Sequence, residues 1–188
     1  MIEILIHGRG GQGGVKASLS LASAAAKSGK FVQSFPEFGV ERRGAPVKAF
    51  NRISDEPIVI RSKIYNPDHV VVLDPTLIQS INITEGLKKG GWIIINTNKK
   101  PGDFKEFCKN YKVATINAKE IALRNRLGSR AAPIVNTAIL GAVIKVLKVS
   151  DKESLAIAIK EFVPVKREEN VKAAYEAYDE VIFEEETS

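Results

Sequence analysis

The sequence predicts one α/β domain, in which a mostly parallel sheet lies between two layers of helices and carries an antiparallel excursion. Short apolar runs alternate along the chain with segments of helical periodicity, the pattern of parallel strands joined by helices. A glycine-rich turn joins the first run to the first helix, as in doubly wound folds. We therefore expect a three-layer, Rossmann-like fold. The 188 residues show no repeat or linker, and we expect a single domain over 1–188.

Seven short apolar runs bounded by turn residues are predicted to be strands. They are residues 2–6, 31–35, 47–53, 58–60, 69–75, 92–96 and 112–118. The runs 47–53 and 58–60 flank a Ser-Asp-Glu-Pro turn, which predicts a pair of adjacent strands and supplies the antiparallel excursion.

Seven segments are predicted to be helices from their apolar spacing and end signals. They are residues 14–28, 84–91, 102–111, 119–126 and 133–147, and two helices that begin near Ser150 and Lys166. Gly29 is placed to cap the first helix. Ser150 and Glu153 have the spacing of a capping box for the sixth helix.

Charge and cysteine content exclude several classes of protein. The net charge of +6 comes from lysines scattered among glutamates, which is typical of a solvated surface rather than a nucleic-acid interface. No apolar run reaches the ~18 residues of a membrane span, and no signal peptide precedes the first strand, so we expect a cytoplasmic protein. The single cysteine, Cys108, and the two separated histidines predict no metal on this chain.

The glycine loop "HGRGGQGG", residues 7–14, is the first candidate site. Gly8, Gly10 and Gly13 satisfy the dinucleotide fingerprint between a strand and a helix, with Glu37 as the one candidate carboxylate for the ribose. A second interpretation is that the glycines only allow a tight turn and close packing. A third is that the loop contacts another subunit, since Arg9 and Gln12 add long polar side chains with no evident local role.

The stretch "FPEFGVERRGAP", residues 35–46, is the second candidate site. Exposed aromatic residues beside arginines are typical of an interface anchor. The residues assigned to this interface are Phe38, Gly39, Glu41, Arg42 and Arg43. Alternatively, the two arginines grip a phosphate, or the phenylalanines fold back beneath the sheet and the stretch is a plain surface loop.

Taken together, the two stretches resemble the gamma-subunit family of pyruvate:ferredoxin oxidoreductase, within the 2-oxoacid:ferredoxin oxidoreductases, over nearly the whole chain. The matching positions are Gly8, Gly10, Gly11, Gln12 and Gly13 in the first motif and Phe35, Pro36, Gly39, Glu41, Arg42, Gly44, Ala45 and Pro46 in the second. "NTAILGAV", with Asn136 and Gly141, is similar to a helix that the family places late in this domain.

The resemblance implies a non-catalytic subunit of a multi-subunit enzyme that makes acetyl-CoA and carbon dioxide from pyruvate and coenzyme A and reduces ferredoxin. It implies alpha, beta and delta partner subunits that carry thiamine diphosphate, Mg²⁺ and the iron–sulfur clusters, with no cofactor on this chain. Candidate contacts with coenzyme A, another anion or a partner subunit are Gly8, Arg9, Gly10, Gly11, Gln12, Gly13, Arg42 and Arg43. The alternatives are a small NAD(P)-dependent oxidoreductase that uses the glycine loop, and a free-standing nucleotide or anion sensor.

Overall fold

A computed structural model describes residues 1–37 and 43–184 of the chain. Within these residues the chain forms one six-stranded sheet with the order β2-β3-β1-β4-β5-β6. The strands are β1 (Ile2–Arg9), β2 (Phe31–Pro36), β3 (Pro46–Ser54), β4 (His69–Val72), β5 (Trp92–Asn96) and β6 (Lys112–Ile116). Only β3 runs against the others, pairing antiparallel with both β1 and β2. The predicted mostly parallel sheet is confirmed.

Six α-helices lie in the described part of the chain. They are α1 (Gly14–Lys27), α2 (Lys105–Cys108), α3 (Ala118–Arg124), α4 (Ala138–Leu147), α5 (Lys152–Phe162) and α6 (Arg167–Glu180). Two 3₁₀ turns, Pro75–Gln79 and Pro101–Asp103, lie between the later strands. None of the helices in the described residues is long and apolar enough to cross a membrane.

The sheet buries both faces, but the two layers that cover it differ. Alternate strand residues such as Ile4, Ile6 and Ile94 share one core with α1 and α3–α6, because successive side chains of a strand point to opposite faces. The strand residues between these, such as Leu5 and Ile93, point to the other face and pack against the 3₁₀ turn Pro75–Gln79, α2 and connecting segments. Helices therefore lie on both faces, as predicted, with most of them on one.

The helical layer packs most closely where α4 crosses α6. A Cβ built on Gly141 would lie 1.7 Å from the carbonyl oxygen of Ala174, so only glycine allows the two backbones to approach this far. Close packing is thus the structural reason for a glycine in this helix.

Several local predictions are wrong, each for a physical reason. Residues 58–60 form no strand; instead the carbonyl of Ile60 accepts a hydrogen bond of 2.9 Å from Gln33 Nε2, and β3 takes both of its partners from β1 and β2. Residues 84–91 form turns rather than a helix, because Gly86 and Gly90 adopt positive φ, which interrupts a helix.

Helix boundaries also moved from their predicted positions. Residues 133–137 precede α4 rather than belonging to it, and 102–111 contain only a 3₁₀ turn and the four-residue α2. The cap of α5 is Asp151, whose carboxylate accepts from the Ser154 N–H at 2.7 Å, so the capping box at Ser150 is wrong. Gly29 is confirmed after α1, with φ +83.

Candidate functional site

A cleft of about 970 Å³ opens at the carboxyl ends of β1, β4 and β5. The chain leaves β1 through α1 on one face, whereas the connections after β4 and β5 cover the opposite face. The gap between β1 and β4 is therefore a topological switch point, the place where open α/β sheets bind ligands. We call this feature the glycine cleft; it is bounded by residues 9–16, 43–44, 47, 73–76, 96, 119 and 130–136.

The glycine loop turns sharply into α1 and leaves backbone donors free. Gly11 and Gly13 have φ of +92 and +76, a region that side chains rarely adopt. Among the described residues, no hydrogen bond uses the N–H groups of Gly14, Val15 and Lys16, the first turn of α1. Unpaired N–H groups at the start of a helix favour an anion.

Arg9 and Gln12 have a local structural role that the sequence did not indicate. Gln12 Oε1 accepts from the Arg9 N–H at 2.8 Å, and Gln12 Nε2 donates to Asp74 Oδ2 at 2.8 Å. The Arg9 guanidinium lies 3.2 Å from the same Asp74 oxygen and donates to Thr76 Oγ1 at 2.8 Å. Both side chains therefore tie the glycine loop to the end of β4.

Asp74 is ionised in this network. Its partial burial opposes ionisation, but hydrogen bonds from Thr76 and Gln12, together with the charge of Arg9, outweigh burial and lower the pKa of Asp74 below its ordinary value. A fixed carboxylate here neutralises Arg9. Arg9 is thus a structural cation rather than a free one.

The two sequence motifs fold into one hydrogen-bonded unit. The Gly10 N–H donates to the Ala45 carbonyl at 2.8 Å, and the Gly44 N–H donates to the Gly10 carbonyl at 3.0 Å. Arg9 Nη1 adds a bond of 3.0 Å to the Gly44 carbonyl. The end of the second motif is therefore positioned by the first, although about thirty residues of sequence separate them.

Late in the chain, Asn136 completes the floor of the glycine cleft. Its Nδ2 donates to the Gly13 carbonyl at 3.3 Å, and a Cβ on Gly13 would lie 2.6 Å from that nitrogen. Asn96 plays a similar part beside it, donating to the Leu73 carbonyl at 2.9 Å. The side chain of Asn136 and the missing side chain of Gly13 are thus complementary.

The rim of the glycine cleft is strongly basic. Within the described residues its charged side chains are Arg9, Lys16, Arg43, Lys119 and Arg130, with Asp74 as the one carboxylate. Only Arg9 forms an ion pair there; the other four cations are exposed and have no carboxylate partner among the described residues. Converging cations and free N–H groups can bind a phosphate-bearing ligand or an acidic surface.

Several predicted site residues lie outside the described part of the chain. Phe38, Gly39, Glu41 and Arg42 fall in 38–42, whereas Arg43 is described and exposed at the rim. Phe35, earlier in the same stretch, packs on Phe50 with ring centroids 5.4 Å apart. Phe35 is thus a residue of the sheet itself, because it lies in β2 opposite Phe50.

The dinucleotide interpretation fails on geometry. A ribose carboxylate must follow a strand that neighbours β1, but β3 lies between β1 and β2, which places Glu37 about two strand spacings, ~10 Å, from β1. Glu37 instead forms ion pairs with Lys63 and Lys48. Within residues 1–37 and 43–184, no carboxylate is positioned for a ribose on the predicted pattern.

Sequence reasoning missed part of the site. Asp74, Asn96, Lys119 and Arg130 line the glycine cleft but were not predicted. Asp74 and Asn96 stand at the carboxyl ends of two predicted strands, so the switch-point rule could have indicated them. Lys119 and Arg130 lie beyond the sheet and carried no such signal.

Comparison with known proteins identifies the family. The sequence profile named pyruvate ferredoxin/flavodoxin oxidoreductase matches residues 3–180. The chain is 53% identical over 188 residues to the pyruvate/ketoisovalerate oxidoreductases common subunit gamma of Thermococcus kodakarensis, covering 98% of this chain and 100% of that protein. It is 51% identical over 183 residues to the pyruvate synthase subunit PorC of Methanocaldococcus jannaschii, covering 97% of this chain and 98% of that protein.

A solved structure gives the same result. The crystal structure of the pyruvate oxidoreductase subunit PORC from Thermotoga maritima matches with a TM-score of 0.80 at 40% identity, covering 98% of each chain. Neither this structure nor the relatives support an NAD(P)-dependent oxidoreductase. The family predicted from the two sequence motifs is confirmed: the chain belongs to the pyruvate ferredoxin/flavodoxin oxidoreductase family, among its gamma-type subunits.

Proposed function

We propose that this chain is the gamma subunit of a multi-subunit 2-oxoacid:ferredoxin oxidoreductase. The complex converts pyruvate and coenzyme A into acetyl-CoA and carbon dioxide, and two electrons pass to ferredoxin. The observation that carries the proposal is the union of the two motifs into one hydrogen-bonded unit at the switch point, in a chain that gamma-type relatives match from end to end. We place the complex in the cytoplasm.

The partners are alpha, beta and delta subunits, which carry thiamine diphosphate, Mg²⁺ and the iron–sulfur clusters. The residues of this chain do not fit a cluster, because a cluster takes about four cysteine ligands and Cys108 is the single cysteine. In the described residues, no group of three or more histidine, cysteine or acidic side chains is placed to hold a metal ion. Oxidation of the 2-oxoacid is therefore assigned to the partners.

The glycine cleft supports the proposed role of this chain in the complex. We assign it to the mouth of the active site, where it faces partner subunits and binds the phosphates of coenzyme A. The proposed contact residues are Gly8, Gly10, Gly11, Gly13, Arg42 and Arg43, joined by the newly found Lys16, Lys119 and Arg130. Arg9 and Gln12, also predicted as contacts, hold the loop in place through Asp74. Phe38, Gly39 and Glu41 complete the proposed interface. The features that support an anionic ligand are N–H groups and cations that have no partner among residues 1–37 and 43–184.

Pyruvate is the substrate that we propose, with a branched-chain 2-oxoacid as a second substrate of a related complex. The relative from Thermococcus kodakarensis is named as common to pyruvate and ketoisovalerate oxidoreductases. A subunit that takes no part in the carbonyl chemistry can serve both complexes without change.

Co-purification of the tagged chain from its native source under anaerobic conditions tests the proposal. We expect three partner chains, thiamine diphosphate and iron in the same fraction, with coenzyme A-dependent reduction of viologen by pyruvate. The isolated recombinant chain serves as control and should be colourless and inactive. Recovery of the chain alone, or micromolar binding of NAD or NADP, would contradict the assignment.

A further inference from the structure

The two edge strands of the sheet, β6 and β2, differ in whether their outer backbone groups are hydrogen-bonded. The edge of β6 is covered by the chain itself: the Ile182 N–H donates to the Thr115 carbonyl, and the Thr115 N–H donates to the Ile182 carbonyl, both at 2.9 Å. Phe183 then packs on Trp92, with ring centroids 5.7 Å apart. Among the described residues, the only strand paired with β2 is β3, so the outer edge of β2 has no cover within them.

The register shows which backbone groups this edge presents. Glu37 N–H donates to the Lys48 carbonyl at 2.9 Å, and Glu37 continues the antiparallel register of β2 on β3. Since bonding alternates along such a ladder, the N–H and C=O groups of Val32 and Ser34 point outward. No described residue forms a hydrogen bond with these four groups. An edge of this kind is a template for another strand.

A second cleft, of about 360 Å³, lies along the same edge. It is lined by Gln33, Ser34, Phe35 and Arg61. Gln33 and Phe35 point to the same face of the sheet, and Ser34 lies between them in the edge strand, so the cleft adjoins the outer edge of β2. Gln33 Nε2 holds the neighbouring segment in place through the Ile60 carbonyl.

The surroundings of this edge are apolar and exposed. Phe31, Val59 and Ile60 are 47%, 85% and 41% exposed. Isolated exposed apolar residues are ordinary, but a group beside an unpaired strand edge is typical of an interaction surface. We call the outer backbone of Val32 and Ser34, with this cleft and these three side chains, the β2 edge.

The positive charge of Arg61 indicates what kind of partner the β2 edge would bind. Arg61 is exposed and, among the described residues, forms no hydrogen bond or ion pair, whereas the neighbouring Arg52 is bound to Glu3 at 2.8 Å. The free charge of the β2 edge is therefore positive. A second copy is a poor occupant, because two β2 edges paired about a twofold axis would bring both Arg61 side chains to one seam. Each copy also has a net charge of +6.

We propose that the β2 edge binds an extended segment of a partner subunit as a seventh strand, with an acidic side chain of that segment paired to Arg61. Main-chain hydrogen bonds to Val32 and Ser34 supply affinity, and the cleft supplies specificity, as in other cases of strand addition. The proposal rests on the proposed function, since it takes its occupant from the subunits of the oxidoreductase complex.

Amide hydrogen exchange in the free full-length chain and in the assembled complex tests the proposal. We expect exchange at Val32 and Ser34 to slow by about tenfold or more on assembly, because each N–H gains a backbone acceptor. The inward N–H groups of β2 and those of α6 serve as internal references. Equal exchange of Val32 and Ser34 in an assembled complex would overturn strand addition while leaving the gamma-subunit assignment intact. Protection in a homodimer of the free chain would also overturn it, and absence of any complex would overturn both.

Reversing the charge of Arg61 provides a second test of the proposal. Arg61→Glu should weaken assembly of the complex by about tenfold or more, since it places like charges against each other. Lys89→Glu, the same change at an exposed lysine away from this edge, is the control and should stay within about twofold. Equal effects of the two variants would remove the role of Arg61 and, with it, the acidic partner.

Discussion

The helical layer and the glycine cleft use glycine for different purposes. In the helical layer, Gly141 removes a side chain so that α4 and α6 can pack, and a Cβ there would meet the backbone of Ala174. In the glycine cleft, Gly13 takes a left-handed conformation just before the first turn of α1, whose N–H groups are free among the described residues. A Cβ on Gly13 would meet the side chain of Asn136 rather than backbone. The first region therefore sets stability, whereas the second leaves polar groups unsatisfied for a ligand or partner.

Gly141→Ala should have the largest effect on stability. The added methyl group would lie 1.7 Å from the Ala174 carbonyl oxygen, so two helices must move apart, and we expect a loss of about 3 kcal/mol or more in the free energy of unfolding. Denaturant unfolding of the isolated chain measures it. Gly102→Ala, where the space is open, is the control and should change the free energy of unfolding by less than ~0.5 kcal/mol. An unchanged midpoint for Gly141→Ala would refute the packing role.

Acid should destabilise the chain through its histidines. Burial, with the nearby Lys48 charge, lowers the pKa of His7 from 6.5 to about 4, and burial lowers the pKa of His69 to about 4. The unfolded chain therefore binds more protons between these values, so stability present above pH 6.5 falls as the pH drops towards 4. For His7 alone the difference corresponds to about 3 kcal/mol.

The variant His7→Leu isolates the contribution of His7 to the pH dependence of stability. It replaces a titrating imidazole that is 1% exposed with an apolar side chain. We expect the slope of stability against pH to fall by roughly half between pH 6.5 and about 5.5, where His69 supplies the rest and carboxylates of lowered pKa, such as Glu37 and Asp74, barely titrate. Denaturant midpoints at several pH values provide the measurement. A slope equal to that of the wild type would show that His7 is not a neutral buried group.

Gly13→Ala should have a smaller effect. A left-handed φ and a contact of 2.6 Å with Asn136 Nδ2 lead us to expect a loss of about 1–2 kcal/mol. Gly29→Ala has a similar φ of +83 in open space and measures backbone strain alone. The excess of Gly13→Ala over Gly29→Ala should shrink in an Asn136→Ala background, as a double-mutant cycle would show. An excess that persists there would mean that Asn136 is not the neighbour that matters.

Much of the fold followed from the sequence, and its failures are local. Runs such as "HVVVL" and "WIIIN" have a length and composition that fit a buried parallel strand, and both are strands. The run 58–60 is also apolar, but the carbonyl of Ile60 is bound by Gln33 and Val59 is left exposed. Composition alone does not distinguish a strand from an apolar surface segment.

The site was predicted in part. Both motifs were found from residue type and spacing, but their union through Gly10, Gly44 and Ala45 depends on β3 returning beside β1. From the sequence, Arg9 and Gln12 have no evident local role and are candidate contacts with another subunit, whereas Asp74 holds both. Asp74 lies more than sixty residues away in sequence, and such a partner is indicated only by the topology.

The central claim is that the cations of the glycine cleft that have no carboxylate partner in the described part of the chain serve a ligand and not the fold. It is tested most directly by steady-state kinetics of complexes reconstituted with Arg43→Ala, Lys119→Ala or Arg130→Ala, with Lys89→Ala as a control outside the cleft. We predict melting temperatures of the free chain within about 2 °C of the wild type, since exposed charges contribute little to stability. At least one cleft variant should raise the KM for coenzyme A by about tenfold, the loss of one charged hydrogen bond, and leave the KM for pyruvate unchanged. Wild-type KM values for coenzyme A in all three variants would contradict the claim.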